Sequence, residues 1–146
     1  MPLVPLTVGC MTFVAAHYGI SVEALKGLRA AEGGRVGEVV ANRDAKGKVT
    51  SRDIGPFQVN NSWLDHLTAA WHKSDRKATF ELLRDNGCAN ALAAGAIFKG
   101  YLDEAGGNYG VAVGWYNSHN PEKAAAYRRH FLSAFNRLKS APSDVE

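Results

Sequence analysis

The stretch Cys88 to Leu102 constrains this chain most, because it is apolar nearly all the way round. Leu92, Ala96, Ile97 and Phe98 alternate there with small alanines and glycines. A helix without a polar face has to be buried, and here it is expected to run through the middle of the domain with other helices wrapped around it. A chain of 146 residues can bury about 70% of the surface its unfolded form exposes, so one compact domain over 1–146 accounts for the whole length. Hydrophobic content of 46% against 21% charged residues excludes a disordered tail as the overall state. No apolar run approaches the roughly 20 residues that would span a bilayer, so stable membrane insertion is not expected. The opening MPLVPLTVGC lacks a basic start and a long apolar stretch, so a complete leader is either absent or already removed. TVGC has no hydrophobic segment before it that would make it a lipid-attachment site.

Helical signals dominate, with one break. Thr7 to Tyr18 reads as a mostly apolar helix, and after Gly19 a second helix capped by Ser21 runs to Glu32, ended by Gly33 and Gly34. From Arg35 to about Asn60 the pattern changes. The β-branched pieces Val39–Val40 and Val49–Thr50 flank the turn-rich NRDAKGK and predict a small hairpin or three-stranded sheet. Ser62 and Asp65 read as a capping pair for a short helix carrying Trp63, Leu67 and Trp71, with HKSD as a loop and helix resuming near Thr79. Asn120 before Pro121 starts the last helix, whose residues after Ser140 are expected to fray.

The net charge of +3 and pI near 9.0 would suit an anionic partner. Lys123, Arg128, Arg129, Arg137 and Lys139 supply much of the C-terminal charge. Tyr127, Phe131, Phe135 and Leu138 recur at helical spacing through the same segment, so the charges read as the wet face of an amphipathic helix packed through those apolar residues. No nucleic-acid motif accompanies them, and no nucleic-acid partner is expected.

Glu32 is the residue with the clearest chemical promise. It lies four positions after Leu28 and seven after Leu25, on the apolar stripe of its helix and at the negative end of the helix dipole. Desolvation and the dipole both favour the protonated carboxyl, which is how a general acid is made. Asp44 and Asp53 are the nearby candidates for a second carboxylate. Asp44 sits in a turn and Asp53 beside a strand, and both read as structural. His17, His66, His72, His119 and His130 show no metal-ligand spacing, and no glycine loop is built to cradle phosphate, so no metal or cofactor is expected. With only Cys10 and Cys88, spacing alone leaves two buried thiols and one disulfide equally open.

Three separated stretches, AAEGG with Glu32, DIGPFQVN from Asp53 to Asn60, and GWYNS from Gly114 to Ser118, occur in an order that resembles the lysozyme-like lytic transglycosylases. The closest resemblance is to the small specialised kind found with type IV secretion and conjugation systems. In that family a glutamate ends a helix and a short sheet follows. A stretch of glycine, two residues, glutamine, isoleucine or valine, then asparagine lines the saccharide cleft, and a Tyr-Asn pair precedes a late helix. Gly55, Gln58, Val59 and Asn60 match the second feature; Tyr116 and Asn117 match the third. Gly33 stands where many relatives have serine, and Ser118 with His119 replaces the glycine that commonly follows the Tyr-Asn pair.

The resemblance implies an α+β, mainly α fold of lysozyme type, with a central buried helix and a small sheet beside the active-site cleft. It implies a peptidoglycan lytic transglycosylase that cuts the β-1,4 bond between N-acetylmuramic acid and N-acetylglucosamine and closes a 1,6-anhydro ring. Glu32 would be sole acid and base, assisted by the sugar's N-acetyl group. Gln58 and Asn60 would offer amide hydrogen bonds to the glycan, Tyr116 would bond the carboxylate or the N-acetyl group, and Asn117 would complete the substrate-binding set. Phe57 and Trp115 read as packing residues. The resemblance also implies a Cys10–Cys88 disulfide, formed in an oxidising periplasm, and partners among glycan strands and secretion-system components. A hydrolysing muramidase (a lysozyme or interbacterial toxin) and a non-catalytic peptidoglycan-binding module are the alternatives.

Overall fold

The computed structural model describes residues 2–140, and the expected fraying beyond Ser140 lies outside them. Seven α-helices and a three-stranded antiparallel sheet follow in the order α1 Val8–Tyr18, α2 Val22–Glu32, β1 Val39–Arg43, β2 Val49–Ile54, β3 Val59–Asn60, α3 Leu64–Ala70, α4 Arg76–Asp85, α5 Gly87–Glu104, α6 Tyr109–Asn117 and α7 Pro121–Ser140. The fold is α+β and mainly α, as the sequence pattern predicts. A 3₁₀ turn, Asn61–Trp63, joins β3 to α3.

The apolar stretch forms α5, which packs against α1, α4 and α6. Leu6, Val14, Leu25, Leu28, Ile54, Phe57, Leu83 and Phe98 are fully buried in one continuous core around it. Burial of this kind stabilises by about 25 cal/mol per Å² of apolar surface. Cys10 at the start of α1 is bonded to Cys88 at the start of α5. Constraining a loop of 78 residues in the unfolded chain contributes up to about 4–5 kcal/mol in the chain-entropy model. The bridge fits an exported protein. No helix among the described residues is long and apolar enough to cross a membrane.

Local signals explain the helix ends. The Thr7 side chain accepts from the Cys10 N–H at 3.0 Å, and Ser21 Oγ accepts from the Ala24 N–H at 3.2 Å. Gly33, at φ 66°, ends α2 directly after Glu32. Asn120 Oδ1 accepts from the N–H groups of Glu122 and Lys123 and so opens α7. On α7, Tyr127 and Phe131 are buried and Phe135 half-buried, while Lys123, Arg129, Arg137 and Lys139 face solvent. Arg128 is half-buried, and Leu138 is 43% exposed, so the apolar stripe stops one turn early.

Three boundaries differ from the sequence reading. Asn60, rather than Ser62, caps the turn into α3: its Oδ1 accepts from the Ser62 N–H at 3.0 Å. Asp65 instead pairs across the surface with Arg76 at 2.8 Å. Helix resumes at Arg76, three residues before Thr79, because Asp75 Oδ1 accepts from the Ala78 N–H at 2.8 Å. The segment leading into GWYNS is itself helical, forming α6. Its YGVAVG composition is a weak helix former, but Asn108 caps it and Ala112, Val113 and Gly114 are buried.

Candidate active site

The sheet, the end of α2, and one side of α5 and α6 enclose a cleft of about 460 Å³. Its walls hold Glu32, Asn42, Asp53, Gln58, Asn60, Trp63, Ile97, Tyr101, Tyr116 and Asn117. All five residues assigned to the site from sequence therefore line a single cleft, although they come from three separate elements and the turn before β3.

Glu32 reaches the cleft as the last residue of α2, partly buried. Its carboxyl is pushed up to about 7. Burial is the main cause, and the negative charge of Asp53 adds to it; a hydrogen bond from Tyr127 and the charge of His130 oppose both. The Tyr127 hydroxyl donates to Glu32 Oε2. Burial and the adjacent carboxylate push that hydroxyl well above the usual tyrosine range, so it stays a donor. His130 Nε2 lies 2.8 Å from the Ala31 carbonyl, at the same helix end. A group half-protonated near neutral pH can both give and take a proton under ordinary conditions.

Directly after Glu32 the chain passes close to the turn between β2 and β3. Gly34 is buried, and a Cβ built on it would fall 2.1 Å from the Gly55 carbonyl oxygen, so only glycine lets the two backbones meet there. This contact sets the end of α2 beside Gln58. Gln58 adopts φ 50°, in the left-handed region. Its Nε2 donates to the Gly55 carbonyl at 3.0 Å, while its Oε1 makes no hydrogen bond among the described residues and can accept from a ligand.

The sheet supplies a second carboxylate. Asp53 on β2 receives Asn42 Nδ2 on one oxygen and Asn60 Nδ2 on the other, each at 2.9 Å. Both amides also reach Ser51 Oγ, at 3.0 and 3.2 Å. The pairing explains the cluster: Asn42 lies opposite Ser51 across β1 and β2, and Asn60 opposite Asp53 across β2 and β3. Side chains alternate along a strand, so Ser51 and Asp53 share a face and their cross-strand partners join them. Asp44, in contrast, accepts from the N–H groups of Lys46 and Lys48 and shapes the hairpin tip, in agreement with its structural reading.

Three site residues behave differently from their expected roles. The Asn60 amide, expected to contact glycan, is spent on Asp53 and Ser51 and its carbonyl on a turn. The Tyr116 hydroxyl donates to the Phe57 carbonyl at 2.9 Å rather than to Glu32, because the turn presents that oxygen and Tyr127 already occupies the carboxyl. Asp53, read as a strand-side structural residue, faces the cleft with Glu32. Asn117 is exposed at the end of α6 on the cleft wall, Phe57 is wholly buried, and Trp115 is half-buried with its ring stacked on His119.

Sequence reasoning missed Asn42, Tyr101 and Tyr127 altogether as site residues. Tyr127 carries the helical spacing of a packing residue, and only its hydroxyl sets it apart. Asn42 would have been found from the strand register, which places it two pairs from Val40 and opposite Ser51. Among known proteins, no protein-family model matches the chain and no curated protein matches it significantly.

Proposed function

We propose that this protein is a peptidoglycan lytic transglycosylase. The observation that carries the reading is Glu32, a glutamate held near half-protonation at neutral pH on the wall of a polar, open cleft. The order of the three motifs around that cleft supports it: the helix-ending glutamate, the Asp53 to Asn60 stretch and the Tyr116-Asn117 pair all reach one cavity.

In this reaction Glu32 gives its proton to the leaving O4 of N-acetylglucosamine as the bond from C1 of N-acetylmuramic acid breaks. The resulting carboxylate takes the proton of the same sugar's 6-hydroxyl while O6 bonds to C1, which closes the 1,6-anhydro ring and restores the acid. Tyr127 holds the carboxyl in place by donating to Oε2. Gln58 Oε1, Asn117 and the Tyr101 hydroxyl are among the polar groups left to meet the glycan. The cleavage would take place outside the cytoplasm, in the periplasm, opening the wall locally for a secretion or conjugation apparatus.

A hydrolysing muramidase is the second reading, and Asp53 favours it. Glycosidases that act through water use two carboxyl groups flanking the scissile bond, and here a second carboxylate, gripped by two asparagines, shares the cleft with the acid. Mass spectrometry of sacculi digested in oxygen-18 water separates the two. Unlabelled anhydro ends are the expected product. Labelled reducing ends would assign hydrolysis, and no product from folded protein would end both readings.

A further inference from the structure

Asn90 is an asparagine with no access to solvent, placed on the helix whose other inward residues are nearly all apolar. A buried amide costs free energy unless its groups are paired, and here every pairing goes to backbone. Its Oδ1 accepts from the Phe57 N–H at 2.9 Å, and its Nδ2 donates to the Ile54 carbonyl at 2.8 Å and to the Leu83 carbonyl at 3.0 Å. The first two bonds bracket the turn that separates β2 from β3, one at each side of Gly55 and Pro56. Gly55 is at φ 71°, and a Cβ there would lie 2.4 Å from Asn90 Nδ2, so the turn is pressed directly onto the amide.

Phe57 is thereby held at both ends. Asn90 takes its N–H, and the Tyr116 hydroxyl takes its carbonyl at 2.9 Å. The next residue is Gln58, in the left-handed conformation that non-glycine residues adopt at a cost and keep only where the surroundings over-determine it. Asp53 precedes the turn by one residue, and the Gly55 carbonyl meets Gly34 beside the Glu32 helix end. We infer that Asn90 is a positioning residue: through the turn from Ile54 to Gln58 it sets the placement of Gln58 and Asp53 relative to Glu32. Its consequence for turnover rests on the glycan-cleaving reading, whereas the clamp itself does not.

Asn90→Asp tests this, because it keeps the shape and the acceptor for Phe57 but sets an oxygen against two carbonyls. With a peptidoglycan tetrasaccharide as substrate, at a temperature where the variant is folded, kcat/KM should fall by about tenfold or more, as expected when reacting groups are misplaced by a fraction of an ångström. Nuclear magnetic resonance should show the Gln58 side-chain amide signals displaced. Val14→Ala, a core truncation on α1 that lowers the melting temperature without touching the turn, should stay within about twofold of the parent. Parental kcat/KM in Asn90→Asp, or an equal loss in Val14→Ala, overturns the inference. In the unaltered protein the Phe57 amide should exchange with solvent among the slowest in the chain. That measurement decides the matter if Asn90→Asp does not fold or if the parent cleaves no glycan: slow exchange upholds the clamp, and exchange at loop rates removes it.

Discussion

The two walls of the cleft hold a carboxyl group each, and they hold them by opposite means. On the helical wall, Glu32 is largely withdrawn from water and has one hydroxyl donor, from Tyr127. On the sheet wall, Asp53 meets two amide donors and the partly open face of the strands. Burial with little hydrogen bonding favours a proton on the first group. Amides on both oxygens of the second fix its orientation. Proton affinity thus comes mainly from helix packing, and placement of the second carboxylate from strand pairing.

Removing the carboxyl of the helical wall should break the asymmetry most severely. Glu32→Gln keeps the side chain's shape but cannot carry the proton, so under the proposed glycan-cleaving function release of soluble muropeptides should fall by about 10²–10⁴ or more. Stability should move the other way above neutrality. Because burial pushes the folded carboxyl up to about 7 from an ordinary value of 4.5, the parent's advantage is complete below that ordinary value and is lost as pH rises through 7. At pH 8 the variant should therefore be more stable than the parent by up to about 3 kcal/mol, and near pH 4 no such gain should appear, as checked by denaturant titration at each pH.

Asp53→Asn tests the sheet wall. Under the transglycosylase reading turnover should fall by no more than about tenfold, whereas a loss matching Glu32→Gln would favour hydrolysis. In either case the alkaline limb of the rate profile should shift to lower pH, because the charge that helps hold the Glu32 proton is gone. Tyr127→Phe should move the limb in the opposite direction. Losing the donor to Oε2 raises the Glu32 carboxyl further, so the alkaline limb should move to higher pH; a downward shift would show that the hydroxyl acts otherwise. Replacing both Cys10 and Cys88 by serine should lower stability by up to about 4–5 kcal/mol and leave the limb where it was. A displaced limb would mean that the helical core tunes the cleft directly.

The helical body was readable because its signals are local. Ser21, Gly33, Asn120 and Pro121 act within a few residues of where they stand, and the apolar run that forms α5 declares its own burial. The position of Glu32 at the end of α2, and the burial that chiefly alters its acidity, follow from the same short-range pattern, whereas the contributions of Tyr127, Asp53 and His130 do not. The sheet wall was harder to read because its groups are joined across strands. Neither Asn42 nor Asp53 carries a mark of its own, and their meeting depends on a register that the hairpin tip determines. Tyr127 stands 95 positions from Glu32, and nothing in its heptad-like spacing distinguishes a hydroxyl that donates from a ring that packs.

Asn60 belongs to both kinds of structure at once. Its carbonyl oxygen starts the turn that carries Trp63, while its amide nitrogen steadies Asp53. A substitution there alters the rim of the cleft and the orientation of its carboxylate in the same step, so selection cannot adjust substrate fit on that side without also disturbing the acid residue's electrostatic neighbour. If the cleft takes glycan as proposed, adaptation to a new one would more readily begin at Asn117, which is exposed and makes no side-chain hydrogen bond among the described residues.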